Sequence, residues 1–148
     1  MKISVDDGTI TFTAGAINAR LSRKDFLNTT VGARAEEFLI NEPYATYRIF
    51  PENGIVTTLQ FAGDVLETVS VLFKLPDDGP ETWSEAHELE RKMIHDAWLH
   101  DEIGAPPYVF AWGRISSDYD ARACESDILI AYGERRQPKT WWQKNQPT

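Results

Sequence analysis

The stretch TWSEAHELERKMIHDAWLHDEIGAPP, residues 82–107, constrains this chain more than any other part of it. Both of its ends are marked chemically. Thr82 can cap a helix, and Glu85 completes a T-x-x-E capping box with it. Gly104 stands where a C′ glycine belongs, and Pro106-Pro107 cannot continue a helix. The spacing predicts one helix over residues 83–103. On a wheel at about 100° per residue, Trp83, Ala86, Leu89, Met93, Ile94, Ala97 and Trp98 share one broad half. Glu90 falls within that half, and His87 lies near its Trp98 side. Lys92, Glu85, Glu88, His95 and Glu102 take the other side. So broad an apolar stripe predicts a helix lying on something large, such as a sheet, with the apolar half buried.

The rest of the chain supplies that sheet. KISVDDGTITF, residues 2–12, alternates Ile3, Val5, Ile10 and Phe12 around Asp6-Asp7-Gly8, and Asp-Gly provides the positive φ of a tight turn. Ser22 with Asp25 three residues on predicts a short helix over 22–28. Residues 36–51 are rich in aromatic and β-branched types. Pro43 has no N–H for a ladder, so this is an edge strand, or two strands broken near Glu42-Pro43. GIVTTLQF (54–61) and VLETVSVLFKL (65–75) flank Ala62-Gly63-Asp64 and read as a hairpin. YVFAWGRIS (108–116) and DILIAYG (127–133) read as two more strands around a long polar loop, SDYDARACES. Gly113 within its strand marks a bulge or a close backbone approach. Trp112 and Ile115 are expected to reach the core beside Trp98.

Strands in consecutive runs with one dominant helix predict the α+β class. The expected architecture is an antiparallel sheet of about six to seven strands packed on one long helix, plus a short N-terminal helix. Residues 1–133 form a single expected domain. The tail at 134–148 is basic and carries Trp141-Trp142, which either fray with it or anchor it.

Charge narrows the function. Fifteen basic residues against 23 acidic ones give a net charge of −8, which argues against nucleic acid as a direct ligand. An acidic surface instead steers the approach of a basic protein. No apolar run reaches the length of a membrane span or signal peptide, so a cytoplasmic protein without membrane contact is expected. One cysteine, Cys124, excludes an internal disulfide; it sits beside Glu125 and reads as a spectator thiol.

Catalytic signals are sparse. His87-Glu88 begins a zincin pattern, but Arg91 stands where the second histidine belongs. The acids of the 116–127 segment suggest calcium, yet the spacing and glycine of an EF-hand loop are absent. Nothing in the sequence assembles a nucleophile, a base and an oxyanion donor. No cofactor and no metal are expected. His87 and Glu90, i and i+3 on the helix, are the candidate pair for an enzyme or small-ligand binder with a cleft between helix and sheet.

Several stretches together carry a resemblance: DFLNT, NEPYATYRI, LQF, WSEAHELERKMIHDAWL and YVFAWGRISSDYDARACESDILIAY. Over residues 21–132 they resemble a set of small bacterial proteins of unassigned activity, which look like the immunity-type partners found near toxin genes. Trp112-Gly113-Arg114-Ile115-Ser116-Ser117-Asp118-Tyr119-Asp120 is the most specific part. Where the shared pattern continues with a Ser-rich loop, this chain has Ala121-Arg122-Ala123-Cys124-Glu125. The resemblance implies a non-enzymatic protein that neutralises a bacterial toxin by direct binding, with a basic toxin domain as partner. The expected contact residues are Asp118, Tyr119, Asp120, Glu125 and Asp127. A homodimer assembled through an exposed sheet edge is a further option.

Overall fold

Period-two alternation builds the larger of two sheets. β4 (Glu36–Asn41), β5 (Tyr44–Glu52), β6 (Ile55–Ala62) and β7 (Val65–Phe73) follow one another as antiparallel neighbours. The helix α2 (Glu85–Ile103) then carries the chain across to β8 (Tyr108–Phe110), β9 (Gly113–Asp120) and β10 (Glu125–Tyr132). β10 pairs with β7, which gives the order β4-β5-β6-β7-β10-β9-β8. A smaller sheet of β1 (Lys2–Ile3), β2 (Ile10–Phe12) and β3 (Gly15–Ile17) precedes the short helix α1 (Arg23–Leu27). This computed structural model describes residues 1–133, and the basic tail with its two tryptophans lies outside the described residues. The α+β class is as the sequence predicts, with a seven-stranded sheet against one long helix.

Register decides which side chains meet. Ile128 lies opposite Val71, Ile130 opposite Val69, and Leu59 opposite both Val69 and Tyr47. One face of the large sheet is therefore apolar and closed over by α1, α2 and the small sheet. Phe26 of α1 sits between Tyr47 and Phe61, with ring centroids 5.8 and 5.6 Å away. Ile3, Ile10, Phe12 and Ile17 of the small sheet are all buried in the same core. The other face carries Thr46, Arg48, Thr58, Gln60, Thr68, Ser70, Asp127 and Leu129, all half-buried, and neither helix covers it.

Pro43 falls in the turn between β4 and β5, so the break near Glu42-Pro43 is real and β4 is an edge strand. Ser22 caps α1, accepting the Asp25 N–H. The cap of α2, however, is Ser84, whose hydroxyl accepts the His87 N–H at 3.0 Å. Thr82 instead donates its hydroxyl to the carbonyls of Asp77 and Gly79, because the chain is still in a turn at that point.

The largest correction concerns the buried side of α2. The expected apolar half faces water: Met93 is 71% exposed, Trp83 47%, Leu89 44% and Ile94 38%. Ala86, Glu90 and Ala97 are exposed with them. The buried stripe is Glu88, Arg91, His95 and Leu99, with Trp98 alongside, 5.4 Å from Phe73. That stripe has ordinary helical spacing, but three of its four members are polar. They are tolerated inside because each meets a partner there, and a paired polar group costs far less to bury than a lone one.

Ile115 is buried in the core and Trp112 packs against it as expected, but the ring partners of Trp112 are Phe110 and Tyr132. It stacks on Phe110 at 5.0 Å and 8° and donates its Nε1–H to the Val5 carbonyl at 2.9 Å. Its indole lies over Gly8, which has φ 75; a Cβ there would come within 2.5 Å of the ring. Trp112 thus locks the N-terminal turn onto the C-terminal strands. Gly113 is a close approach: a Cβ there would lie 2.0 Å from the Ala131 carbonyl oxygen. Gly113→Ala is expected to cost about 2 kcal/mol or more through overpacking against backbone; chemical denaturation of both proteins measures it.

Candidate partner-binding site

The segment read as a long polar loop at 116–127 is mostly strand. β9 continues to Asp120 and β10 begins at Glu125, leaving only Ala121, Arg122, Ala123 and Cys124 in the turn. Asp120 accepts the Arg122 N–H, and Cys124 takes the positive φ, 54°, that closes the turn. Acids are poor strand formers, but the two arms pair with each other from Asp120↔Glu125 onward, and β7 anchors β10 from Ile128 to Ala131.

Register then sets the acids face to face. Asp118 lies opposite Asp127, and Asp120 opposite Glu125. Residues directly opposite share a sheet face, and so do residues two apart. All four carboxylates therefore project from the face that neither helix covers. Ser70 on β7 donates its hydroxyl to Asp127 at 2.6 Å. The carboxyl of Asp127 is nevertheless pushed up from its usual range, first by burial and then by Asp118 and Asp120. Glu125 is raised too, by desolvation at the sheet surface and then by Asp127 and Glu88. Like charges directly opposite destabilise a ladder, so the fold carries this arrangement at a cost. Tyr119 alternates to the opposite face and is half-buried there, so it is separated from the four acids by the plane of the sheet.

A buried polar cluster fixes the hairpin in place. Ser126, between Glu125 and Asp127, points inward; its N–H donates to the Glu88 carboxylate at 2.9 Å and its hydroxyl to the Glu88 carbonyl at 2.6 Å. Arg91 donates to Glu88 at 3.0 Å, forks onto both oxygens of Asp78 at 2.6 and 2.8 Å, and also reaches the Phe73 carbonyl. The Arg91 guanidinium beside Asp78 holds that carboxyl well below the usual range. Burial works against the charge on Arg91, but Asp78 and Glu88 outweigh it and keep the group protonated. Trp83 donates its Nε1–H to the Cys124 carbonyl at 2.8 Å, tying the N-terminus of α2 to the tip of the hairpin. Sequence reasoning missed Asp78, Glu88, Arg91 and Ser126. The available signal was the opposite-charge i, i+3 pair Glu88/Arg91 in register with His95 and Leu99.

Of the helix pair expected to serve a small ligand, only His87 lines a hollow. His87 contacts Asp78 at 2.8 Å and lines a shallow hollow of about 220 Å³ with Trp83, Lys74 and Glu125. Glu90 is exposed and is not part of that hollow. Among the described residues, no group of three or more His, Cys, Asp or Glu side chains is placed to hold a metal ion. No helix among them is long and apolar enough to cross a membrane.

The architecture that emerges is an α+β scaffold with one face of an antiparallel sheet sealed by helices and the opposite face uncovered by either helix among the described residues. No protein-family model matches the sequence, and no curated protein matches it. In three dimensions the chain is similar to one in the solved structure of Rhs1-CT in complex with cognate immunity protein RhsI1. The TM-score is 0.63 at 15% sequence identity, over 97% of this chain and 94% of that one. The two share a fold.

Proposed function

We propose that the chain is a non-enzymatic binding protein of the immunity type, which neutralises a bacterial toxin by gripping a basic surface on it. The observation that carries this reading is the pair of like-charge matches on the uncovered sheet face, Asp118 with Asp127 and Asp120 with Glu125. They weaken the ladder that holds them, and a cationic partner turns that repulsion into attraction. The likeness in fold to a chain from an immunity-protein complex supports the same reading. Tyr119 contributes from the side, beside the N-terminus of α2. The cytoplasm of the producing cell, where such a toxin would act, is the expected location.

A variant carrying Asp118→Asn, Asp120→Asn, Glu125→Gln and Asp127→Asn tests it. Thermal stability should hold or rise slightly, because two repulsive matches are gone. Affinity for a toxin encoded beside the gene should fall about 100-fold or more, mostly through slower association whose salt dependence disappears. Cells expressing that toxin should be protected by the native chain and not by the variant. Equal protection by both would remove the acidic face from the mechanism, and no protection by the native chain would remove the immunity reading itself.

A further inference from the structure

We infer that the partner is recognised by strand addition: an extended segment alternating basic and apolar side chains pairs with the free edge of β9 at Ser116–Asp120. This rests on the reading of the chain as a binder of a basic protein, and it specifies how the contact is made.

The free edge has a covalent origin. β8 pairs with β9 only from Tyr108↔Ile115 to Phe110↔Gly113. The residues before Tyr108 are Pro106 and Pro107, which carry no N–H, so the β8 chain cannot extend the ladder and leaves for the end of α2. Among the described residues, no strand covers Ser116–Asp120 on that side. A cleft of about 660 Å³ lies along the gap, with Lys92, Asp96 and His100 of α2 on one wall and Ser116, Ser117 and Asp118 on another.

The direction of the backbone groups follows from the register. The Gly133 N–H donates to the Trp112 carbonyl. That contact continues the Gly113↔Tyr132 pairing by one step, and the pairing then runs without a shift to Asp120↔Glu125. Hydrogen-bonding direction alternates along an antiparallel strand, so even-numbered residues of β9 face β10. The N–H and C=O groups of Ser117 and Tyr119 face outward into the gap.

Side-chain chemistry selects the occupant. On the open face, an added strand would lie beside Asp118 and Asp120, which call for Lys or Arg at alternate positions. On the helix side it would lie beside half-buried Tyr119. Leu89 and Met93, 44% and 71% exposed, sit one turn from the cleft residues Lys92 and Asp96. That side calls for apolar residues. A second copy of the chain is a poor fit, because two β9 edges would set Asp118 and Asp120 against the same acids. Charge on an edge strand is a common guard against such self-pairing.

The test is amide hydrogen exchange on the full chain with a capped hexapeptide of alternating lysine and valine. Its control is the same peptide N-methylated along one edge. The lysine–valine peptide should slow exchange at Ser117 and Tyr119 at least tenfold, and the methylated control should not. Ser117→Pro removes an outward N–H without touching the β10 ladder; it should keep the native circular dichroism and lose peptide binding. Three results would overturn the proposal: no protection, protection on β4 instead, or edge amides already protected without peptide by the chain's own residues 134–148 or a second copy. Toxin neutralisation separates this idea from the broader one. If folded Ser117→Pro still neutralises as the native chain does, the binder reading survives and strand addition falls.

Discussion

Arg91→Met should lower the stability of the protein by about 3 kcal/mol, near the lower end of what is lost when one partner of a buried ion pair is removed. The guanidinium is 3% exposed and serves Glu88, Asp78 and the Phe73 carbonyl at once. Methionine fills much the same volume but leaves Glu88, itself 3% exposed, without its counter-charge. Asp78 retains some contact with water, which keeps the loss from being larger. The double variant Arg91→Met with Glu88→Gln should recover part of that loss, since no uncompensated charge then remains inside. Urea denaturation of the native, single and double variants gives the coupling directly. A single variant as stable as the native protein would mean that the cluster is solvated and is not the clamp described above. Because Glu88 also holds Ser126, the single variant should loosen the acidic hairpin, visible as faster exchange at the Ser126 amide.

The second large effect is on pH dependence. His95 is fully buried, and its Nε2 accepts the Phe73 N–H at 3.1 Å, so the ring must be neutral with its proton on Nδ1. Burial, and then the positive charge of Arg91, lower its pKa from 6.5 to about 4; Lys92 acts in the same direction, while Asp96 and Glu88 oppose. Between those two values the unfolded chain binds a proton that the folded chain refuses, so stability rises with pH across that window. The contribution is complete above about pH 6.5 and falls away as the pH drops towards 4, amounting to about 3 kcal/mol for a shift of this size. Glu125 and Asp127, whose carboxyls are raised, work in the opposite sense at the acid end, where folding favours their protonated forms. Denaturation midpoints from pH 4.5 to 7.5 should climb steeply for the native chain and flatten for His95→Gln. Equal slopes would assign the dependence to another group.

Legibility in the sequence differed by element, for physical reasons. Alternation, turn glycines and the stop at Gly104-Pro106-Pro107 carry local information, so the hairpins, the single long helix and the α+β class could be read from them. The hairpin β9–β10 was hidden because its outward residues are acids, and acids signal turns when only local propensity is weighed. Its strand character comes from the pairing of the two arms with each other, anchored where β7, distant in sequence, pairs with Ile128–Ala131. The five expected contact residues are neighbours in the chain, but their division between two faces required the register. Four acids lie on the open side and Tyr119 on the other.

The sequence alone determined that one capped helix must cover an antiparallel sheet, because capping, helix termination and side-chain alternation act within a few residues of each other. Only the tertiary structure decided which side of that helix turns inward. Hydrophobic periodicity ranks side chains by their dislike of water and takes no account of partners. Glu88, Arg91 and His95 are acceptable inside only because Asp78, Ser126 and the Phe73 backbone wait there. Those contacts join segments up to 38 residues apart, and they leave Leu89 and Met93 outside.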